Sequence, residues 1–393
     1  MNRLSRLSNQ IKSIALIAPL ALFLAFFFVA PLATMMKTAV SDPIASRALP
    51  TVSESLRDWD RTTVPSAAAQ QALANDIRNV NDDELFGDLV RRLNSAKSGF
   101  RTLMTKTRTA VVENQSISDL VSLDPRWSDP VFWIAIQEAA STPITDRNLL
   151  SALDLQRDAN GSIINVPEDK SANRTTLFRT LIMAGVVTLC CVAIGLPFAM
   201  VAASTNGWRR QLLLGAVLLP LWTSLLVRTA AWYIILQDNG LINMTLQTLG
   251  VTSGPVPLIF NRLGVVIAMT HVLLPFMVLP IFSVLIGIPK NLMPAAASLG
   301  ASPVRAFVLV LLPLSLRGVV SGGLLVFMSA LGYYITPALI GGAKDQMISS
   351  VIAYYATGAA NWGMAGALGI VLLAATMILY LVYLRLSSEE ARA

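Results

Sequence analysis

The residues able to do acid–base or metal chemistry in this chain are few, and their spacing does not suit a reaction centre. One histidine, His271, occurs in 393 residues, and the two cysteines, Cys190 and Cys191, are neighbours in an apolar run. A lone imidazole cannot supply zinc-ligand spacing, and adjacent apolar cysteines behave as small hydrophobes rather than as a disulfide framework. No Gly-Lys-Ser or Gly-Lys-Thr run occurs, so there is no P-loop to cradle a nucleotide. The expectation is a chain with no catalytic residue, no metal and no cofactor of its own. What remains is a set of polar groups inside apolar runs: Arg228, and His271 followed by Pro275 and Pro280. A charge at mid-bilayer costs about 2.5 kcal/mol or more, so Arg228 reads either as functional or as a group that reaches the interface or bonds backbone carbonyls. His271 reads as a packed polar residue, and the two prolines imply kinks in the helix that carries it.

The elements that must position these residues are membrane helices. With 54% hydrophobic and 13% charged residues, the chain lies far from the roughly 25% charged residues of soluble domains. The net charge of +7 comes from basic residues scattered along the chain or flanking apolar runs, which is the pattern of membrane flanks and not a nucleic-acid footprint. Six apolar runs, at about 14–36, 176–203, 212–236, 263–288, 319–340 and 364–384, predict an all-α polytopic membrane protein with six transmembrane helices. The first run is longer than the roughly 7 to 15 residues of a signal-peptide core, so it reads as a retained anchor. Arg3, Arg6 and Lys12 before it place the N-terminus in the cytoplasm, and alternation brings the C-terminus to the same side.

Nearly all acidic residues lie between Asp42 and Asp169; beyond them only Asp238, Asp345, Glu389 and Glu390 remain. The polar segment 38–174 is therefore expected as a large, mostly helical extracytoplasmic insert between helices 1 and 2, with helices over about 67–80, 82–94 and 127–140. Its Ser- and Thr-rich part, 51–66, reads as linker. Between the fourth and fifth runs lies a moderately polar island, Pro294 to Pro313, flanked by Lys290 and Arg317. Alanines, then Gly300, then an apolar periodic run predict a short helix, a glycine break and a second helical start, on the cytoplasmic side.

Two stretches carry a resemblance to a known family. Ala295-Ala296, Gly300, Val310 and Leu312-Pro313 resemble the coupling-loop signature of binding-protein-dependent ABC importer permeases, Glu-Ala-Ala, three residues, Gly, nine residues, Ile, one residue, Leu-Pro. Val310 replaces the isoleucine, and Pro294 stands where the family has its acidic residue, which puts one docking contact in question. The run from Pro220 to Thr229, with Ala231-Trp232, Asp238 to Asn243, Gly341 to Lys344 and Asn361-Trp362, is similar to spermidine and putrescine importer permeases. The resemblance covers about 176–386 and leaves 37–174 outside.

The resemblance implies the type I ABC importer permease fold. Residues 1–37 would form the N-terminus and first helix, 175–386 a five-helix core with a coupling loop at 289–317, and 387–393 a cytoplasmic tail. Expected partners are ABC ATPase subunits, which use the ATP and Mg, a second permease subunit, a periplasmic substrate-binding protein and the lipid bilayer of a bacterial inner membrane. The polar insert would be either a structural cap or a docking site for the binding protein. For a polycationic solute, aromatic faces and carboxylates are suitable contacts, so the candidate translocation path is Trp222, Arg228, Trp232, Tyr233, Asp238, Tyr333 and Tyr334. The rival readings are an ion-coupled secondary transporter, which would want more ionisable groups at the midplane, and an ABC permease for opine-like or amino-acid-derived solutes.

Overall fold

The contrast between apolar and polar stretches becomes a division into two units, Met1–Ser151 with Trp362–Ala367, and Ala152–Asn361 with Leu368–Ala393. The structure, a computed structural model, describes residues 15–113, 119–141, 144–157, 162–167, 171–359 and 361–390. The basic residues Arg3, Arg6 and Lys12, and residues 391–393 of the expected tail, lie outside the described residues.

The first unit opens with the apolar helix α1 (Ala15–Val40). A small helical bundle follows: α2 (Ile44–Ala48), α3 (Pro50–Ser55), α4 (Ala67–Asn79), α5 (Asp83–Ala96), α6 (Phe100–Glu113), α7 (Leu120–Leu123), α8 (Pro130–Ser141) and α9 (Arg147–Ala152). Its core includes Leu73, Ile77, Leu89, Leu103, Met104, Trp127 and Trp133, all fully buried. The indole N–H of Trp133 donates to the Trp127 carbonyl at 2.9 Å, and that of Trp127 to the Thr107 hydroxyl at 3.1 Å. Both large rings are thus buried without an orphaned donor.

One expectation for this unit needs correction. The stretch read as linker begins with α3, whose Val52 and following Leu56 are fully buried in the bundle. The buried Asp76 carboxylate of α4 accepts from the Thr51 and Val52 N–H groups at 2.9 and 2.8 Å, so a distant side chain caps this helix and overrides its weak local propensity. In the 127–140 run the helix starts at Pro130, where Asp129 and Pro130 signal a start, and Trp127 sits in a separate 3₁₀ turn, Pro125–Ser128.

The second unit carries a short hairpin, β1 (Leu155–Arg157) and β2 (Ile163–Asn165), and then the membrane helices. Three long ones pack together: α10 (Asn173–Ser204), α14 (Arg262–Gly287) and the helix Pro303–Gly332, labelled α16. Small residues set their approach. A Cβ at Gly318 would meet Ile281 Cα at 2.8 Å, and one at Gly322 would meet the Met277 carbonyl at 3.0 Å. The backbones of α16 and α14 are in direct contact there.

Between α10 and α14 the chain makes α11 (Trp208–Leu218), a 3₁₀ turn Leu219–Trp222, α12 (Leu225–Ile235) and α13 (Leu241–Thr248). After Gly287 come α15 (Leu292–Ser298), α16, then α17 (Ile335–Ile340), α18 (Ile348–Ala353) and the last helix α19 (Trp362–Glu390). Among the described residues five helices are long and apolar enough to cross a membrane, or six if α11 and α12 count as one broken span.

That broken span is the main departure from the sequence reading, which had one straight helix over 212–236. The two halves are bent by 101°. Pro220 has no N–H to continue α11, and its ring obstructs the preceding turn. Thr223 is extended, and Ser224 restarts the helix by accepting from Val227 N–H at 3.2 Å. The fifth span also differs: it begins at Pro303 and ends at Gly332, so the second half of the elbow and the span are one helix.

Candidate functional site

The elbow is built from a helix stop followed at once by a helix start. At the end of α15 the Gly300 N–H donates to the Ala297 carbonyl at 2.9 Å and the Ala301 N–H to the Ala296 carbonyl at 3.1 Å. This pair of reversed bonds satisfies the last carbonyls and requires a left-handed residue between them; Gly300 has φ +85°. Two residues on, Ser302 caps α16 by accepting from Arg305 N–H at 3.4 Å, with Pro303 at its first position. Pro294 lies in the first turn of α15, and Pro294 and Ala295 are exposed while Ala296 is half-buried. Leu299 is 90% and Val304 73% exposed, so the elbow offers apolar side chains on either side of Gly300. Val310 lies in a π-helical turn, Phe307–Leu311, directly before Leu312 and Pro313. Such a turn suits a proline that lacks the N–H of a regular helix.

The second assembly lies around α12. Arg228 and Trp232 are one turn apart on this half-helix. The Trp232 indole donates from Nε1 to Nδ1 of His271 at 3.1 Å, with ring centroids 5.4 Å apart. An accepting Nδ1 fixes the neutral imidazole with its proton on Nε2. Tyr333, half-buried, ends α16. A hydrogen bond of 3.2 Å between the buried hydroxyls of Thr229 and Thr336 holds α12 against α17. Ser349 of α18 donates to the Tyr333 carbonyl at 2.6 Å and steadies the residue that ends α16. Pro275 has no N–H for the His271 carbonyl four residues back, which leaves that oxygen without its regular helical donor.

Of the seven candidate path residues, Arg228 and Trp232 share one face of α12, and Tyr333 lies half-buried at the end of α16. Trp222 is 90% exposed at the corner of the broken span, Asp238 is exposed beyond the end of α12, and Tyr334 is 46% exposed. Tyr233 turns away to pack its ring against Phe260, at 6.1 Å. His271, read as a packed polar residue, is the hub of the cluster and is exposed, although it lies in an apolar helix of 26 residues. No local pattern signals this, because its partner stands 39 residues earlier in the chain.

An apolar helical body with small-residue crossings, a broken span and an exposed elbow defines a membrane permease. Residues 195–389 match the family described as binding-protein-dependent transport system inner membrane component. The spermidine/putrescine transport system permease protein PotB of Haemophilus influenzae is 34% identical over 209 residues, 53% of this chain and 73% of that protein. PotB of Escherichia coli is 36% identical over 211 residues, 54% of this chain and 77% of that protein. The molybdenum transport system permease protein ModB of Mycobacterium bovis is 31% identical over 174 residues, 44% of this chain and 64% of that protein. This chain belongs to the inner-membrane components of binding-protein-dependent transport systems. It is a multi-pass, non-catalytic permease subunit of a binding-protein-dependent transport system.

Proposed function

We propose that this permease imports polyamines, of the size and charge of spermidine and putrescine, or a closely related small organic cation. The observation that carries the reading is identity of about one third to PotB in two organisms, over 209 and 211 residues. ModB, in the same family, has a differently named cargo, so membership alone does not choose the solute. The chemistry of the cluster around α12 supports a cation: the Trp232 and Tyr333 faces and the freed His271 carbonyl all attract an ammonium group. In this reading Arg228, Trp232 and Tyr333 face the route, and Trp222, Tyr233, Asp238 and Tyr334 line its approaches.

The elbow around Gly300, with Pro294, Ala295, Ala296, Val310, Leu312 and Pro313, is the surface on which an ATPase subunit docks. Because α16 runs unbroken from Pro303 to Gly332, closure of the ATPases would be carried as rigid movement of a whole span. Lys290, Arg305 and Arg317 support a cytoplasmic elbow, with both termini on that side and the polar bundle α2–α8 on the other in this reading. ATP and Mg belong to the ATPase subunits. The test is reconstitution of the complete transporter in proteoliposomes and measurement of ATP-dependent accumulation of labelled spermidine and putrescine. A complex with active ATPases that accumulates neither would overturn the solute assignment.

A further inference from the structure

The least comfortable group in the membrane body is Arg228. Its Nε and Nη1 are buried and have no hydrogen-bond partner among the described residues, and no ion pair there includes it. A guanidinium cannot shed its proton, so it cannot escape the cost of burial by neutralising itself. No acid among the described residues pairs with it. Among the described residues of the second unit, Asp154 is engaged by Ser171 and the N–H groups of Asn173 and Arg174, Asp345 pairs with Arg262 at 3.1 Å, and Asp238 is exposed. The setting adds to the positive charge, because Arg228 sits in the first turn of α12, at the positive end of a half-helix that starts inside the broken span.

Arg228 and Trp232 are only half-buried, and His271 beside Trp232 is exposed, its Nε2–H without a partner among the described residues; on the other side of α12, Leu226, Val227 and Ile234 are exposed by 60 to 63%. Lipid could cover the apolar side chains. Hydrocarbon could not satisfy the guanidinium, which calls for an anionic acceptor, or the Nε2–H of the neutral imidazole, which needs a hydrogen-bond acceptor of any kind.

From this charge imbalance we infer that Arg228 forms an intersubunit ion pair with a carboxylate of the second permease, which reaches the guanidinium from the side where Arg228 and His271 meet the surface, and that α12 takes part in the contact. The inference rests on the importer reading above. A solute carboxylate would satisfy the same donors, but a polyamine has none, and a bare guanidinium on its route would repel it. A carboxylate from the partner removes that repulsion and leaves the aromatic faces for the cation. The pair also makes each permease half incomplete without the other, which suits selection of a hetero-pair.

The test uses the assembled transporter with Arg228→Lys, treated with a carbodiimide that joins an amine to a touching carboxylate. Peptide mapping is expected to find residue 228 linked to an Asp or Glu of the second permease. Arg262→Lys serves as the positive control, since its linkage to Asp345 lies within this chain. Arg228→Gln is expected to lower recovery of the paired permeases by about tenfold or more, because the partner's carboxylate is left buried and unpaired. Neutralising the linked acid as well should restore recovery.

A link to an acid of this same chain, or no link while the control links, would overturn the inference. So would intact pairing of Arg228→Gln with selective loss of binding for carboxylate-bearing solutes, which would assign the donors to a solute anion. Failure of the unaltered chain to assemble with a second permease and ATPases is a different result, and it would fall on the importer reading itself.

Discussion

Gly300 offers the sharpest quantitative test of the elbow. Its φ is +85°, and a Cβ built on it would meet nothing within 4 Å. The cost of a side chain there is therefore purely conformational, with no steric clash to confuse it. A left-handed backbone costs an L-residue about 1 to 2 kcal/mol, which is roughly a 5- to 30-fold shift in equilibrium toward other elbow conformations. Asparagine tolerates this region, alanine pays the ordinary penalty and a β-branched residue pays more. The order Gly300→Asn, Gly300→Ala, Gly300→Val should thus reproduce a rising loss of coupling.

The assay is binding-protein-stimulated ATP hydrolysis and solute uptake by the reconstituted complex, with expression and thermal stability of the detergent-solubilised permease measured in parallel. Gly300 lies outside the buried core of the second unit, so stability should stay level while coupling falls, about fivefold or more for alanine if the elbow conformation limits coupling. Equal activity of the asparagine and valine variants would refute the conformational argument. A parallel fall in thermal stability would show that the residue supports the fold instead of the coupling.

Three further outcomes follow from the geometry. Gly318→Ala puts a methyl 2.8 Å from Ile281 Cα, whereas Gly323→Ala meets only Thr188 Cγ2, at 3.7 Å; thermal melts should show a loss of about 1 to 3 kcal/mol for the first and little for the second. Asp124 is hydrogen-bonded first by Arg126, then by Lys106, and the guanidinium holds its carboxyl well below the usual carboxylate range. A depressed carboxyl stabilises the fold above its unfolded value, about 4, and loses that effect as the pH falls below it. Asp124→Asn should therefore lower the tryptophan-fluorescence melting point at neutral pH, and the gap should close in acid; a gap independent of pH would contradict the assignment. Finally, the Asp83 side chain is 88% and Leu299 90% exposed. A membrane-impermeant maleimide applied to spheroplasts should label Asp83→Cys and leave Leu299→Cys unlabelled until the membrane is opened; the reverse pattern would invert the topology.

Some features were legible because they are local. The stop at Gly300 and the start at Ser302-Pro303 are written in consecutive residues, and so are the apolar runs that became α1, α10, α14 and α19. The break in the third span was equally local, since Pro220 stands four residues before the capping Ser224, but the apolar character of the whole run masked it. Helix α6 was missed although Phe100, Leu103, Met104, Thr107 and Val111 share one buried face, because threonines and basic residues between them lower its average hydropathy. Neither α3 nor the polar cluster could be read locally. The first is capped by Asp76, about 25 residues away, and the second joins Trp232 to His271 across two helices. Long-range side-chain bonds of that kind leave no period in the sequence.

The exposed surfaces of the second unit pose one physical problem in two opposite forms. At the elbow, Leu299 and Val304 are bare at the edge of the membrane body, where water should be met by polar groups. Around α12, Arg228 and His271 present polar groups from apolar helices, where lipid should be met by hydrocarbon. An isolated chain is mismatched to its solvent at both places. A soluble partner with an apolar cleft resolves the first, and a membrane partner with an acid resolves the second. The two kinds of subunit an importer needs are thus distinguishable on this chain by the sign of the mismatch, and removing one should leave the other contact measurable. Pairing with the second permease should survive Gly300→Val, and ATPase docking at the elbow should survive Arg228→Gln in whatever paired complex is recovered. Loss of both contacts in either variant would mean that the two surfaces are coupled through α16 and are not independent interfaces.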